Sequence, residues 1–161
     1  GKVLYRVCLA TSGSGEAALT PEPLVIRFRG AVPPFVLYPH IVLMFMGMLY
    51  STRAGLDGLF NGERTCRLAF WTVLFLTLGG LILGPLVQKF AFGAYWTGWP
   101  SGSDLTDNKT AAAFLFWILA LWRLRKNPRA GGWAVAAAII LLLVYAIPHS
   151  VLGSELDYTR G

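Results

Sequence analysis

Charge is what this chain has least of. Only 14% of its 161 residues are charged while 55% are hydrophobic, and mean hydropathy is +0.57. Soluble domains carry about 25% charged residues, so an aqueous surround does not suit most of the chain. No charge falls in the middle of any long apolar run, which argues against an ion pump or transporter with a midplane site. Cysteine is equally scarce. Cys8 and Cys66 lie in regions assigned below to opposite sides of a membrane, so they are not expected to pair, and two isolated thiols make no metal motif. Also missing are HExxH, GxSxG, a phosphate-cradling glycine loop and a paired CxxC. Catalysis is left only to whatever polar residues gather at the ends of the apolar runs, and a non-enzymatic role is expected.

The net charge of +6 does not point to nucleic acid, because the basic residues flank apolar runs rather than forming a patch on a polar domain. That placement belongs to membrane anchoring, with the lipid bilayer as partner.

The first 30 residues read as β structure. "GKVLYRVCLA" alternates, with Val3, Tyr5, Val7 and Leu9 on one face and Leu4, Arg6 and Cys8 on the other. "LVIRFRG" repeats the pattern, and "TSGSGEAALTPEP" between them is turn and loop chemistry. A β-hairpin with a long loop is expected over 1–30. A lone hairpin is marginal in water, so these strands are expected to complete a larger β domain lying upstream.

Four apolar runs follow. A spanning helix needs about 20 mostly apolar residues. Ala31–Tyr50 has 20, Leu68–Gln88 has 21, Thr110–Trp122 has 13 and Gly131–Ile147 has 17. The third reaches membrane length if its helix begins near Asp104, with Asp104 or Thr106 as N-cap and Asp107 at the positive helix end. The fourth does so if it continues through Pro148–His149. The expected fold is therefore an all-α membrane protein, a four-transmembrane-helix bundle over 31–152 behind a short extracytoplasmic hairpin, with an extracytoplasmic tail over 153–161.

Orientation comes from the short loops. "RLRKNPR" packs four basic residues into one turn, and "STRAGLDGLFNGERTCR" adds Arg53, Arg64 and Arg67 against Asp57 and Glu63. Both loops fall on one side, which the positive-inside rule makes cytoplasmic. Arg27 and Arg29 oppose this, but folded domains translocate largely regardless of charge. Both termini are then extracytoplasmic. Gly80 and Gly84 stand at GxxxG spacing and "AVAAAII" offers a second small-residue surface, both suited to close helix packing. Pro85 is expected to kink the end of its helix. Tyr95, Trp96 and Trp99 sit where an interfacial aromatic belt belongs.

The two histidines stand in similar settings, "LYPHIVL" and "AIPHSVL". His40 lies near the outer end of the first helix and His149 at the end of the fourth, and first and fourth helices are neighbours in an up-and-down bundle. A bis-histidine haem b needs one axial nitrogen from each side, so His40 and His149 are candidate haem b ligands. A weaker alternative is a soft-metal site from His40, Met44 and Met48, which share a helical stripe; a methionine stripe is more often packing material. Asp104, Asp107, Lys109, Glu155 and Asp157 form an outer polar cluster. They suit either proton transfer or plain capping, snorkelling and pairing at the interface.

The stretches "VIRFRGAVPPFVLYPHIVLMFMGMLYSTRAGL", "GPLVQKFAFGAYWTGWPSGSDLTDNKT" and "IPHSVLGSELDY" give nearly the whole chain a resemblance to a group of bacterial inner-membrane proteins. In that group an extracytoplasmic immunoglobulin- or fibronectin-like β domain precedes four membrane helices. The resemblance implies architecture and location, and it carries no functional residue. The expected role is an accessory or anchor subunit of an envelope complex with protein partners. The rival is a haem b- or metal-binding electron-transfer subunit.

Overall fold

The computed structural model describes residues 2–10, 16–20, 22–27, 29–60, 62–102 and 104–147. His149, Glu155 and Asp157 lie outside these residues.

Four short strands open the chain: β1 (Lys2–Tyr5), β2 (Cys8–Ala10), β3 (Glu16–Ala18) and β4 (Leu24–Arg27). β1 pairs antiparallel with β4, and β2 with β3, as two successive ladders of one hairpin. Lys2 faces Arg27 in the first ladder and Cys8 faces Ala18 in the second. Two residues separate the ladders on one arm and five on the other, so a single register cannot run through both. The longer arm contains Pro21 and Pro23, which cannot donate to a ladder. Glu16–Ala18 had read as loop from its Gly- and Ser-rich surroundings, and the strand there is a correction to that reading.

Four helices follow in an antiparallel array. They are α1 (Pro34–Leu59), α2 (Thr65–Phe92), α3 (Leu105–Lys126) and α4 (Gly131–Ala146). α1 packs on α2 and α4, α3 also packs on α2 and α4, and α1 and α3 lie on the diagonal. The first and fourth helices are thus neighbours, as an up-and-down bundle requires. α1 and α2 are each long and apolar enough to cross a membrane, and α4 is apolar but shorter.

The interior is built from small side chains. Ala54, Ala69, Ala113, Ala120, Ala134 and Ala137 are fully buried, with Leu76, Trp117, Leu124 and Leu141 as the larger filling. The bulky apolar residues point outward instead. On α1, Phe35, Tyr38, Val42, Phe45 and Leu49 are all exposed and recur at three- and four-residue spacing, one continuous stripe. A water-soluble bundle buries most of its bulky apolar residues, and close helix contact through small residues is common in membrane bundles.

The closest seam joins α1 to α4. A Cβ placed on Gly58 would stand 2.7 Å from the Gly131 carbonyl oxygen, and one on Gly55 would stand 2.7 Å from Ala138 Cβ. "AVAAAII" thus packs as expected. Its partners on α1, Gly55 and Gly58, lie beyond Tyr50, where the apolar run had been ended, while Gly47 faces Leu76 and Phe75 of α2. The helix continues to Leu59 because the small-residue face of "STRAGLDGL" packs on α4 through Gly55 and Gly58, which outweighs the low helix propensity of those glycines. The connection to α2 is correspondingly short, and Thr65 Oγ1 donates to Asp57 Oδ2 across it at 2.8 Å.

α2 begins at Thr65 and is π-helical over Leu76–Leu83. The Pro85 ring would collide with a carbonyl one turn back, and widening that turn relieves the collision. The expected disturbance at Pro85 therefore takes the form of a π segment before it. α2 ends at Gly93, whose φ of +88° and N–H bond to the Lys89 carbonyl make a left-handed C-terminal cap. Of the two expected caps α3 uses Asp104, whose Oδ1 accepts from the N–H groups of Thr106 (2.7 Å) and Asp107 (3.2 Å). α4 ends at Ala146, and the expected continuation through Pro148–His149 falls outside the described residues.

The α1–α4 seam yields a direct test. Gly58→Leu is expected to destabilise the bundle by about 1–3 kcal/mol through overpacking. Gly132→Ala, where a Cβ meets nothing within 4 Å, should change stability by no more than about 0.5 kcal/mol. Unfolding by sodium dodecyl sulfate, followed by circular dichroism, measures both.

Candidate functional site at the hairpin end of the bundle

The hairpin end collects the start of α1, the end of α2, the start of α3 and the end of α4. Its residues connect the four helices in a chain of hydrogen bonds.

His40 lies in the second turn of α1, and its Nδ1 is 2.9 Å from the carbonyl oxygen of Gly79 on α2. A carbonyl oxygen only accepts, so Nδ1 carries the proton and donates. In the neutral ring this leaves Nε2 with a free lone pair. The Gly79 carbonyl also receives the N–H of Gly84, the longer bond of the π segment. Helix α2 approaches this closely because Gly79 has no side chain. A Cβ there would sit 3.0 Å from Leu43 Cβ and 3.2 Å from the Met44 thioether sulfur.

Met44 therefore occupies the groove over Gly79 and Gly80, where its flexible thioether fills an irregular gap. Its own carbonyl oxygen accepts the Tyr145 hydroxyl at 2.7 Å, which ties α4 to α1. Met48 is half-buried, and its carbonyl accepts the Thr52 hydroxyl at 3.0 Å. Among the described residues no three His, Cys, Asp or Glu side chains converge where a metal ion could sit. Cys8 and Cys66 are both free thiols.

The acidic residues and the lysine are engaged with backbone. Asp107 Oδ2 accepts from the Thr97 N–H (2.6 Å), the Gly98 N–H (3.0 Å) and the Thr97 hydroxyl (3.3 Å). Next to it, Asn108 Oδ1 accepts from the Trp99 N–H at 2.6 Å. Gln88 closes the arrangement from α2 by donating to Thr97 Oγ1 at 2.6 Å. The α2–α3 loop is thereby folded over the end of the bundle, and Trp96 Nε1 donates to the Trp99 carbonyl within it. Lys109 Nζ donates to the carbonyl oxygen of Ile147, the capping residue of α4, at 2.7 Å. A cation at the negative end of a helix is favourably placed. Lys109 and Asp107 are both buried, and neither depends on the other for its partner.

Of the residues singled out from the sequence, the structure brings His40, Met44, Asp104, Asp107 and Lys109 to one end of the bundle. Met48 lies one helical turn further in. Four contributors were missed: Gly79, Thr97, Gly98 and Tyr145. Tyr145 had a visible signal, since its hydroxyl is the lone polar side-chain group in "AIILLLVYAI". The acceptor role of the Gly79 carbonyl had none.

Comparison of the chain with protein-family models, with curated proteins and with solved structures gave no match.

Asp107 is the residue whose loss the loop should register. Asp107→Ala leaves the Thr97 and Gly98 amides without their acceptor. The expected cost is about 1–3 kcal/mol, with much faster hydrogen exchange at those two amides, while Asp107→Asn should retain most of the protection. Unchanged exchange in Asp107→Ala would contradict the assignment.

Proposed function

We propose that the chain is a non-enzymatic accessory or anchor subunit of a larger envelope complex in the bacterial inner membrane. Its four helices cross the bilayer, and both termini lie on the extracytoplasmic side. The observation that carries the reading is the hairpin. Val3, Leu4, Tyr5, Leu24 and Ile26 are exposed, on both faces of the β1–β4 ladder. Each of these strands has one neighbour among the described residues, so the outer edges offer unpaired backbone groups. A two-stranded ribbon with apolar side chains on both faces is incomplete as a folded unit in water. A β domain that extends the ribbon by edge pairing and covers its faces completes it.

The hairpin is attached to the bundle through the Gly30 N–H, which donates to the Ala91 carbonyl at the end of α2. Two further features support the bilayer placement. The outward stripe of bulky apolar residues suits lipid. The opposite end of the bundle carries seven basic residues (Arg53, Arg64, Arg67, Arg123, Arg125, Lys126 and Arg129) against two acidic ones, Asp57 and Glu63, which favours a cytoplasmic position.

A second reading rests on the His40 hydrogen bond. A metal-bound histidine commonly donates its other ring N–H to a backbone carbonyl, which fixes the tautomer and orients the ligating nitrogen. His40 makes that bond. The reading is an electron-transfer subunit with haem b between His40 and His149, or with a soft metal on His40, Met44 and Met48.

In intact cells, a membrane-impermeant maleimide should label Cys8 and reach Cys66 only after permeabilisation; the reverse pattern inverts the topology. Extracted in mild detergent, the protein should run with a partner in native mass spectrometry. A Leu4→Asp, Ile26→Asp double variant should run alone with its helical content unchanged. If wild type and variant both run alone, the subunit reading fails. The dithionite-reduced spectrum decides the second reading: a sharp haem b band abolished by His40→Ala supports it, and a featureless spectrum with no bound metal removes it.

A further inference from the structure

The end of the bundle away from the hairpin holds a feature that neither reading uses. Arg123, in the last turn of α3, lies between two indole rings. Its guanidinium carbon is 5.2 Å from the centroid of Trp122 and 4.9 Å from that of Trp133 on α4. Lys126 Nζ is 4.1 Å from the Trp122 ring. Arg125 and Arg129 stand in and beside the same turn, both exposed. No aspartate or glutamate occurs in the sequence between Asp107 and Glu155, so neither α3 beyond its first turn nor α4 supplies a carboxylate to these cations. The dipole of α3 accounts for basic residues in its last turn, but not for Arg129, nor for two indoles arranged about Arg123.

Beside this cluster is an open cleft of about 450 Å³ lined by Ala130, Gly132, Trp133 and Ala136. Its walls are apolar, and Trp133 is shared between cleft and cation cluster. One side therefore offers the charges of Arg123 and Lys126, with Arg125 and Arg129 close by in the chain, and the other offers a shallow apolar groove beginning at the same indole. Those two halves match an amphiphile with an anionic head and a hydrocarbon tail.

We propose that this is a binding site for an anionic phospholipid of the cytoplasmic leaflet. The phosphodiester is held by Arg123 and Lys126, with Arg125 and Arg129 adding field, and an acyl chain lies in the Ala130–Ala136 cleft against Trp133. Arginine suits the head because its planar fork donates two parallel N–H bonds to phosphate oxygens. Stacking between the indoles holds that fork in place before the lipid arrives, which lowers the ordering cost of binding. Clusters of cations on the cytoplasmic side of membrane helices attract anionic lipid heads in this way. The inference rests on the bilayer placement proposed above.

The test uses the full chain expressed in membranes. An alkaline carbonate wash comes first, and a protein released by it overturns both the membrane placement and this site. Protein that stays in the membrane is purified in mild detergent and titrated with phosphatidylglycerol or phosphatidylcholine under native mass spectrometry. Wild type should retain phosphatidylglycerol at least about tenfold more strongly, the preference expected of several cations acting on one head group. Arg123→Gln with Lys126→Gln should bring the ratio close to one, while Arg123→Lys, which keeps the charge but loses the stacked fork, should fall between the two. Arg6→Gln, an exposed cation on the hairpin, should leave it unchanged. Equal retention of the two lipids by wild type overturns the site, as does a preference that survives the double variant with native helical content. Displacement of phosphatidylglycerol by an equal concentration of glycerol 3-phosphate assigns the site to a soluble phosphate and overturns the lipid.

Discussion

Two helices approach to backbone contact only where neither carries a side chain in the way. At the α1–α4 seam that condition is met by Gly55 and Gly58 on one side and Gly131, Ala134 and Ala138 on the other. With the seam closed, the space between the helices is too narrow for rows of Leu and Phe, and the interior is left to alanine with a few large fillers. Bulky apolar side chains are displaced outward, which makes the exterior of the bundle oily. The same device recurs between α1 and α2, where Gly79 and Gly80 admit the Met44 thioether and let the Gly79 carbonyl reach His40. Small residues thus decide both which helices touch and which polar atoms meet.

The polar residues at the hairpin end act as connectors. Each joins an element to one remote in sequence: His40 to α2, Tyr145 to α1, Lys109 to the last carbonyl of α4, and Asp107 to the loop that closes over it. Their partners are mostly backbone groups: the last carbonyl of α4, two loop amides, the Met44 carbonyl inside α1, and the Gly79 carbonyl, which takes the His40 bond beside that of the Gly84 N–H. Placed so, ionisable residues hold an end of the bundle together without any charge in the middle of the helices. His40 is the exception in having a second ring nitrogen left over, which is why it alone sustains a rival reading of the site.

Much of this was legible before any coordinates. The Asp104 cap, the alternation in β1 and β4, the four apolar runs and the packing role of "AVAAAII" all follow from local pattern, and all appear. What escaped was non-local or masked by composition. Arg53 and Asp57 interrupted the apolar run and so hid the last turns of α1, although Ser51, Ala54, Gly55 and Gly58 already marked a small-residue face. Glu16–Ala18 pairs with Cys8–Ala10 inside a segment whose glycines and serines announce a loop. The π segment depends on Pro85 and on Gly79 having a neighbour, and a hydropathy profile contains neither. The pairing of Tyr145 with the Met44 carbonyl spans 101 residues and is a consequence of the seam.

The helices are not of equal length, and this bears on the membrane itself. With 26 residues, α1 extends about 39 Å at the helical rise of 1.5 Å per residue. With 16 residues, α4 extends about 24 Å by the same rise, while a bilayer's hydrocarbon layer is about 30 Å thick. In the bilayer placement proposed above, the last two turns of α1, with Arg53 and Asp57, stand beyond the hydrocarbon layer, whereas α4 is shorter than that layer and is accommodated by local thinning. A subunit shaped this way thins the membrane beside α4. Neighbouring proteins whose spans are short are then favoured along that flank, so that the geometry of the bundle alone biases where a partner settles.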